Sequence, residues 1–313
     1  MYSIGVDGGG TRTRAVMVDG EGAISAVSTG GCGNVQVVGL GGLKSLLDRL
    51  LGELGAVSQD RSLCLALAGA GRRPERMAIA AMARSRGWAQ RVEVVSDAEG
   101  ALTGAHGGGP GLIAISGTGS IVLGRDESGR EARAGGWGPL LGDEGSGYSI
   151  GLEALRAVLR AEDGWGDKTL LAGELEKALG LENWDQLVQK VYRSEIDREH
   201  ISALCPLVFA AARRGDGAAR KIIAEAGSAL GSQVSAVARR LCLRGAVALS
   251  CTGGVFKERE MLWPSMQRAV RGEVETLRFT KPLLPPVLGA VLIARRQAGL
   301  DCGREFIDLL ARS

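Results

Sequence analysis

The chain has 313 residues, 45% of them hydrophobic and 23% charged, and 38 basic residues against 35 acidic ones give a formal net charge of +3. This length predicts about two domains, and the hydrophobic content is sufficient for buried cores. Because the charges are spread along the chain and aromatic residues make up only 4%, we expect no nucleic-acid partner. No apolar run approaches the length of a membrane span, and the N-terminus enters a predicted strand without a signal-peptide pattern.

The six cysteines are scattered and form no C-x-x-C pair, and the chain has only two histidines. This pattern argues against a zinc or iron–sulfur site built from local spacing, and it favours free thiols in a reducing compartment. We therefore expect a soluble, cytoplasmic protein without a membrane partner.

The first twenty residues carry the most distinctive pattern of the chain. A short apolar run ends in Asp7, three glycines (residues 8–10) and Thr11, and a second apolar run covers residues 15–18. This predicts a β-hairpin whose turn could bring backbone N–H groups and the Thr11 hydroxyl to one anion. An aspartate beside a phosphate suggests Mg²⁺, although a plain glycine-rich hairpin with a capping aspartate explains this stretch equally well.

Strands and helices alternate through the rest of the first hundred residues. Strands are predicted at 23–28, 62–68 and 92–95, and helices at 40–54, 74–87 and 97–105. Ser96 and Glu99 have the spacing of a capping box, so Asp97 lies where a strand ends and a helix begins. Ligands of open α/β sheets bind at such strand ends. Alternatively, Asp97 only stabilises the helix N-terminus through its charge.

The opening pattern returns after the glycine-rich break at residues 106–110, where we place the domain boundary. Residues 111–126 again predict a strand, a turn of glycine and hydroxyl residues, and a returning strand, and a third strand follows. Aligning Ser116 with Asp7 brings the glycines of the two turns into register. One such hairpin in each domain is more specific evidence for phosphate binding than either copy alone.

A glycine-rich loop at residues 135–148 contains Trp137 and the adjacent acids Asp143 and Glu144. An ordered loop with an aromatic ring and carboxylates is typical of a surface that contacts a small molecule. Alternatively, the tryptophan covers a core and the two acids begin the next helix.

The remaining chain is mostly helical. Helices are predicted at 148–160, repeatedly within 168–240, most clearly at 218–241, and at 287–298 and 305–310. A buried strand at 246–252 ends in Gly253-Gly254, which would permit the close approach of a flat ligand or a phosphate. A plain turn explains this glycine pair equally well.

Five motifs follow one another in the chain: Asp7-Gly8-Gly9-Gly10-Thr11, Ser96-Asp97-Ala98, Ile115–Ser120, Gly135–Gly138 and Gly142–Ser146. Together they resemble the sugar-kinase/actin/hexokinase/heat-shock-chaperone superfamily, in which two related domains each place a β-hairpin against the phosphates of ATP. Within it, the chain is similar to the N-acetylglucosamine kinase and glucosamine kinase group of the BadF/BadG/BcrA/BcrD-type ATPases. The resemblance extends from Gly5 to about Gly254.

The resemblance implies an α/β fold of two actin-like (ribonuclease H-like) domains, each a mixed sheet flanked by helices, with an ATP cleft between them. The N-terminal domain is expected at 1–109 and the C-terminal domain, with a helical insertion, at 110–299. The last helix, within 300–313, is a candidate to pack back on the first domain. ATP and Mg²⁺ are the implied cofactors, and a homodimer is the implied assembly.

The resemblance also implies roles for particular residues. Asp7 would hold the metal, and Asp97 would be the catalytic base. The implied nucleotide-binding residues are Gly8, Gly9, Gly10, Thr11, Arg12, Gly117, Thr118, Gly119, Ala212, Gly253 and Gly254. The implied amino-sugar contacts are Asn34, Asp97, Trp137, Gly138 and Asp143.

The activity implied by the resemblance is transfer of the γ-phosphate of ATP to the 6-hydroxyl of N-acetylglucosamine or glucosamine. One alternative is an activator ATPase of a 2-hydroxyacyl-CoA dehydratase, which requires cysteine ligands for an iron–sulfur cluster; Cys242 and Cys251 flank a strand instead. The other alternative is a non-catalytic nucleotide and sugar sensor, which would not need a base such as Asp97.

Overall fold

The computed structural model describes residues 1–55 and 61–312. Two compact units divide the chain, the first formed by Met1–Gly111 together with Lys281–Ser313 and the second by Leu112–Thr280. Strands and helices are numbered below in chain order. Each unit is built on a five-stranded mixed sheet flanked by helices, as the predicted fold class requires.

The sheet of the first unit has the order β3-β2-β1-β4-β5. Its strands are β1 (Tyr2–Gly8), β2 (Thr13–Val18), β3 (Ile24–Gly30), β4 (Arg61–Leu67) and β5 (Arg91–Ser96). β1, β4 and β5 are parallel, whereas β1, β2 and β3 pair antiparallel as a meander. The helices are α1 (Val35–Glu53), α2 (Arg73–Arg86), α3 (Asp97–His106), α11 (Pro286–Gln297) and α12 (Arg304–Arg312).

Both faces of this sheet are covered because successive side chains of a strand point to opposite sides. In β2, Ala15 and Met17 join the core beneath α1 and α2, while Val16 and Val18 join the core beneath α11 and α12. Strands β2 and β4 therefore carry apolar residues on both faces, which explains their nearly continuous hydrophobic runs.

Helix α11 belongs to the first unit. The sequence analysis instead placed residues up to 299 in the second domain. Its apolar residues, among them Val287 and Val291, lie in the core with Val16 and Val18 of β2. The contact is close, because a Cβ on Gly5 of β1 would lie 2.4 Å from the carbonyl oxygen of Val287. A chain segment distant in sequence thus covers one face of the first sheet, and no local sequence pattern could indicate this contact.

The second unit repeats the arrangement, with the sheet order β8-β7-β6-β9-β10. Its strands are β6 (Gly111–Ser116), β7 (Ser120–Arg125), β8 (Glu131–Gly135), β9 (Ala246–Thr252) and β10 (Thr276–Phe279). β6, β9 and β10 are parallel, as β1, β4 and β5 are in the first unit. The internal repeat predicted from the two hairpins therefore extends to the whole sheet, including β10, which the sequence analysis did not anticipate.

The helices of the second unit form a single large core with its sheet. They are α4 (Gly147–Glu162), α5 (Leu171–Leu179), α6 (Asp185–Tyr192), α7 (Arg198–Ser202), α8 (Cys205–Arg213), α9 (Gly217–Arg240) and α10 (Arg259–Val270), with a 3₁₀ helix at Gly254–Glu258. Helices α9 and α10 approach closely, since a Cβ on Gly227 would lie 2.6 Å from the carbonyl oxygen of Leu262. In the described part of the chain, no helix is long and apolar enough to cross a membrane.

Candidate active site

The carboxyl ends of β1, β4 and β5 meet at one edge of the first sheet. Gly8 of β1 pairs with Leu67 of β4, and Leu67 pairs with Ser96 of β5. Asp7 is therefore the penultimate residue of β1 at the same edge where Asp97 begins α3. Two carboxylates that are ninety residues apart in sequence lie together because parallel strands end together.

The turn of the first hairpin, residues 8–12, is held by backbone hydrogen bonds. The Gly9 N–H donates to the carbonyl oxygen of Arg12 over 2.9 Å, and the Ala68 N–H donates to that of Gly8 over 2.7 Å. A Cβ on Gly33 would lie 2.9 Å from the Cα of Gly8, so glycine is needed for this approach. Gly10, Thr11 and Arg12 are exposed at or near the tip, and their polar groups are accessible to a ligand.

Asp7 and Asp97 both have raised pKa values. Burial, and secondarily the charge of Asp97, raise the pKa of Asp7 to about 6, while the nearby Arg14 opposes the shift. Burial also raises the pKa of Asp97, although the Ala98 N–H donates to its carboxylate over 3.0 Å and favours the charged form. A carboxylate with a raised pKa is a better proton acceptor than an exposed one.

Asp97 is fixed by the capping box that the sequence predicts. The Glu99 carboxylate accepts from the Ser96 N–H over 2.8 Å and from the Ser96 hydroxyl over 2.7 Å. Arg76 of α2 binds both oxygens of Glu99, and its Nε donates to the carbonyl oxygen of Ala70 over 2.9 Å. The sequence analysis missed Arg76, because its partner lies on another helix and no local spacing links the two.

Asn34 lies at the same sheet edge as the two aspartates. Its Oδ1 accepts from the Gln36 N–H over 3.0 Å and so caps α1, which begins five residues earlier than expected and is interrupted at Gly39. The Val35 N–H donates to the carbonyl oxygen of Ala68, the residue that follows β4. The structure therefore brings Asp7, the first turn, Asn34 and Asp97 together within the first unit.

A cavity of about 260 Å³ lies in the first unit beside this edge. Asp7, Arg12 and Arg14 line it together with residues 285–287, which precede and begin α11. Carboxylate and guanidinium groups in one cavity suit a ligand that combines phosphate with a cation.

In the second unit, the turn at residues 117–119 occupies the position equivalent to the first turn. The Gly117 N–H donates to the carbonyl oxygen of Gly119 over 2.9 Å, and the Gly147 N–H donates to that of Gly117 over 2.8 Å. Gly253, with φ of 105°, follows β9, and a Cβ there would lie 2.1 Å from the carbonyl oxygen of Ser116. The structure thus places Gly253 directly against the second turn, where only glycine fits.

Asp143 is buried beside the same turn. It is 3% exposed and has φ of 64°, and a Cβ on Gly119 would lie 2.9 Å from its Oδ2. Burial raises its pKa, and the shift is opposed by Arg198 and by the N–H groups of Ser120 and Gly138. Helix α4 begins at Gly147 with Ser146 as its cap, so Asp143 is not part of that helix. Arg198 is a further residue that the sequence analysis did not single out.

Trp137 and Gly138 lie on the loop that leads to Asp143. The Trp137 ring is 55% exposed, and the Arg133 guanidinium lies 4.7 Å from its centroid. A Cβ on Gly142 would lie 3.1 Å from the Cβ of Trp137, so the loop folds back on itself here. Its exposed aromatic face is available for a flat or cyclic ligand.

A cavity of about 460 Å³ in the second unit is lined by Ala212 and by residues that follow Gly254. Phe256, Arg259 and Met261 contribute apolar and cationic groups to its wall. This volume lies within the range of small-molecule sites. Ala212, one of the implied nucleotide-binding residues, therefore shares a cavity with the 3₁₀ helix that begins at Gly254.

Comparison with known proteins gives a consistent result over nearly the whole chain. Residues 4–294 match the model of the BadF/BadG/BcrA/BcrD ATPase family. An N-acetylmuramic acid/N-acetylglucosamine kinase of Clostridium acetobutylicum is 34% identical over 302 residues, which cover 95% of this chain and 99% of that protein. An N-acetyl-D-glucosamine kinase of Dictyostelium discoideum is 32% identical over 93% of this chain and 97% of its own length.

A solved structure is similar over the same range. The protein from Chromobacterium violaceum, provisionally assigned as an N-acetylglucosamine kinase, superposes with a TM-score of 0.75 at 26% identity, covering 94% of this chain and 98% of that one. A ROK family glucokinase from Streptomyces griseus has a TM-score of 0.57 at 19% identity, which supports the fold alone.

Proposed function

Because the chain belongs to the BadF/BadG/BcrA/BcrD ATPase family, we propose that it is an ATP-dependent amino-sugar kinase. It transfers the γ-phosphate of ATP to the 6-hydroxyl of N-acetylglucosamine or glucosamine. The observation that carries this proposal is the meeting of Asp7, the first glycine turn and Asp97 at one sheet edge. The relatives named as kinases of N-acetylglucosamine or N-acetylmuramic acid, with coverage of 93% or more of this chain, support the substrate class.

Asp97 acts as the general base in this proposal. Its position at the start of α3, fixed by Glu99 and Arg76, leaves little freedom of orientation. Because burial raises its pKa, the carboxylate accepts a proton more readily than a solvated one as the sugar hydroxyl attacks. Phosphoryl transfer needs mainly such alignment and charge stabilisation.

Asp7 fits the donor chemistry of a magnesium site. It is a half-buried carboxylate whose charge is disfavoured by burial and by Asp97, so a nearby cation would relieve both penalties. Mg²⁺ commonly binds through one or two carboxylates together with substrate phosphates and water, and when bound it neutralises phosphate charge. Asp7 would hold the ion directly or through water.

The glycine turns bind the phosphates of the nucleotide. Residues 8–12 offer backbone N–H groups and the side chains of Thr11 and Arg12, and residues 117–119 offer a second set with the Thr118 hydroxyl. The adenosine lies near Gly253, Gly254 and Ala212, where the 460 Å³ cavity provides room.

The residues proposed to contact the sugar are Asn34, Asp97, Trp137, Gly138 and Asp143. Asn34 is positioned by its cap of α1, and Asp143 by its ion pair with Arg198. The homodimer and the cytoplasmic location stay predictions.

ADP release in the presence of Mg-ATP tests the proposal. The sugars to compare are glucose, glucosamine, N-acetylglucosamine, N-acetylmannosamine and N-acetylmuramic acid, with a reaction lacking sugar as the baseline. We expect ADP release that depends on one or two amino sugars. A 6-deoxy analogue of the active sugar should inhibit competitively without releasing ADP. Slow ADP release that ignores every sugar contradicts the kinase proposal, and phosphate transfer to the 6-deoxy analogue contradicts the assigned hydroxyl.

A further inference from the structure

The second glycine turn has a cation beside it that does not come from its own sequence. The first turn ends in Arg12, whereas residues 117–119 carry no basic side chain. Arg198, the first residue of α7, fills this place, since a Cβ on Gly119 would lie 2.8 Å from its Nη2. A guanidinium therefore lies against the backbone of the second turn.

Arg198 is held there by a buried partner. Its Nη2 donates to Oδ2 of Asp143 over 2.7 Å, and Asp143 is 3% exposed. Helix α7 is also packed tightly, because a Cβ on Gly151 of α4 would lie 2.0 Å from the carbonyl oxygen of Ile201. An ion pair between a buried carboxylate and a partly exposed guanidinium gains little net stability. The pair is better explained by a need for a guanidinium in a fixed position.

The guanidinium of Arg198 still has donors to offer. Its Nε is buried and has no hydrogen-bond partner among the described residues, whereas 39% of the side chain is exposed. Arginine has five N–H donors in a rigid fork, and an unpaired buried donor costs free energy until a ligand accepts from it. An anion with several oxygens, such as a phosphate, matches these donors.

We propose that Arg198 binds the terminal phosphates of the nucleotide at the second turn, with Asp143 as its positioning residue. This rests on the proposed nucleotide site at residues 117–119. In this arrangement Asp143 has two tasks, since the carboxylate assigned to the sugar also fixes the guanidinium assigned to the phosphates. The second turn thereby acquires a positive charge equivalent to that of Arg12 in the first turn.

Nucleotide binding without sugar tests the proposal directly. Titration calorimetry compares Mg-ATP, Mg-ADP and AMP on the wild type, on Arg198→Met and on Arg198→Gln; the Gln variant keeps a donor for Asp143. We expect both variants to lose about 10- to 100-fold in affinity for Mg-ATP and to stay within about twofold for AMP, since AMP lacks the terminal phosphates. Arg198→Lys, which keeps the charge, should retain more Mg-ATP affinity than either.

Arg156→Met is the matched control, because Arg156 lies on α4 in an exposed ion pair with Glu153. It should bind all three nucleotides as the wild type does. An equal loss for ATP, ADP and AMP in the Arg198 variants would mean a structural role and overturn the proposal, as would unchanged Mg-ATP affinity. The titration contains no sugar, so its outcome does not depend on kinase activity. If the wild type binds Mg-ATP but phosphorylates no sugar in the ADP-release assay, the kinase proposal is contradicted and the proposed role of Arg198 is not.

Discussion

At the scale of single residues, the proposed mechanism depends most on Asp97. Replacing Asp97 with Asn keeps the size of the side chain and leaves the capping box of Ser96 and Glu99 intact, but it removes the group that accepts a proton. We expect kcat to fall by about 10²- to 10⁴-fold, the usual contribution of a positioned base. Affinity for the sugar should change little, because an amide still forms hydrogen bonds. ADP release gives kcat, and calorimetry with the sugar alone gives the affinity.

Asp308→Asn provides the control for this substitution, since Asp308 is an exposed carboxylate on α12 of the same unit. Its kcat and sugar affinity should match those of the wild type. If Asp97→Asn lost sugar binding and turnover to the same extent, Asp97 would serve recognition or structure rather than proton transfer.

Asp7 gives a prediction about pH and stability. Its pKa is about 6 in the folded chain, against 3.8 for an aspartate in the unfolded chain, so the folded state disfavours the ionised form. The free-energy cost of ionising Asp7 in the folded state is absent below pH 3.8, grows between pH 3.8 and 6, and is complete above pH 6. Asp7→Asn should therefore raise the free energy of unfolding at pH 8 by about 3 kcal/mol, and the gain should shrink toward zero near pH 4. Urea unfolding at pH 8 and pH 4.5, without metal or nucleotide, measures both.

Asp126 has a lowered pKa, so its replacement should have the opposite effect on stability. Its hydrogen bonds with Ser128 and Arg130 lower its pKa to about 2, so its ionised form stabilises the fold above its unfolded pKa of 3.8. That stability is lost as the pH falls from 3.8 to 2. Asp126→Asn should consequently destabilise the chain at both pH 8 and pH 4.5. A loss of stability in Asp7→Asn at pH 8 would contradict the prediction that the ionised Asp7 side chain destabilises the fold.

At the scale of elements, the junction of β6 and β9 depends on one glycine. A Cβ on Gly253 would lie 2.1 Å from the carbonyl oxygen of Ser116, and φ of 105° is unfavourable for alanine. Overpacking costs about 1–3 kcal/mol and a positive φ about 1–2 kcal/mol. We expect Gly253→Ala to lower the free energy of unfolding by at least about 2 kcal/mol and to weaken Mg-ATP binding, because the second turn must move.

Gly254→Ala is the matched control at the neighbouring position. A Cβ there meets no described atom within 4 Å, so stability should change by less than about 0.5 kcal/mol. Urea unfolding and nucleotide titration on the pair separate the two effects. Equal stability of the two variants would show that the β6–β9 contact relaxes easily, against the close approach described here.

Most elements were predictable because their signals are local. The apolar stripe of α9 and the buried run of β9 each arise within a single segment, and the capping box of α3 involves residues three apart. β10 was missed because it has four residues and no clear alternation. The early start of α1 was missed because Gly39 interrupts the helical pattern.

The candidate site was predictable only in part. Asp7 lies at the end of an apolar run and Asp97 follows a predicted strand, so the sequence marked each as a candidate, but not that they meet at one sheet edge. Arg76 and Arg198 have no such signal, because their carboxylate partners lie 23 and 55 residues away on other elements. Side chains that position a site through long-range ion pairs become visible only when the fold is known.

At the scale of the whole molecule, the first unit is assembled from two separate segments. Residues 281–312 supply α11, which packs on β1, and α12, which completes the core around Val16 and Val18 of β2. A Cβ on Gly289 of α11 would lie 2.0 Å from the carbonyl oxygen of Gly100 of α3, so these helices touch through their backbones. Without this segment, one face of the first sheet would expose its apolar side chains to water.

The first unit should therefore fold only when both segments are present. We expect residues 1–111 alone to show no cooperative urea transition by circular dichroism. The same residues joined to 281–312 by a flexible linker of about ten Gly and Ser residues should unfold cooperatively. The test needs no knowledge of the second unit, because the cores beneath α1 and α11 both lie within these two segments.

Two variants of the linked chain show whether the packing of α11 causes the cooperative transition. Gly289→Ala should abolish or strongly weaken the transition, because the added Cβ separates α11 from α3. Gly52→Ala in α1 should leave it intact or slightly stabilise it, since a Cβ there meets no described atom within 4 Å and alanine favours a helix. A cooperative transition of residues 1–111 alone, with the same midpoint as the linked chain, would mean that the first sheet is stable with one face uncovered. The return of the chain at residue 281 would then matter for the site but not for folding.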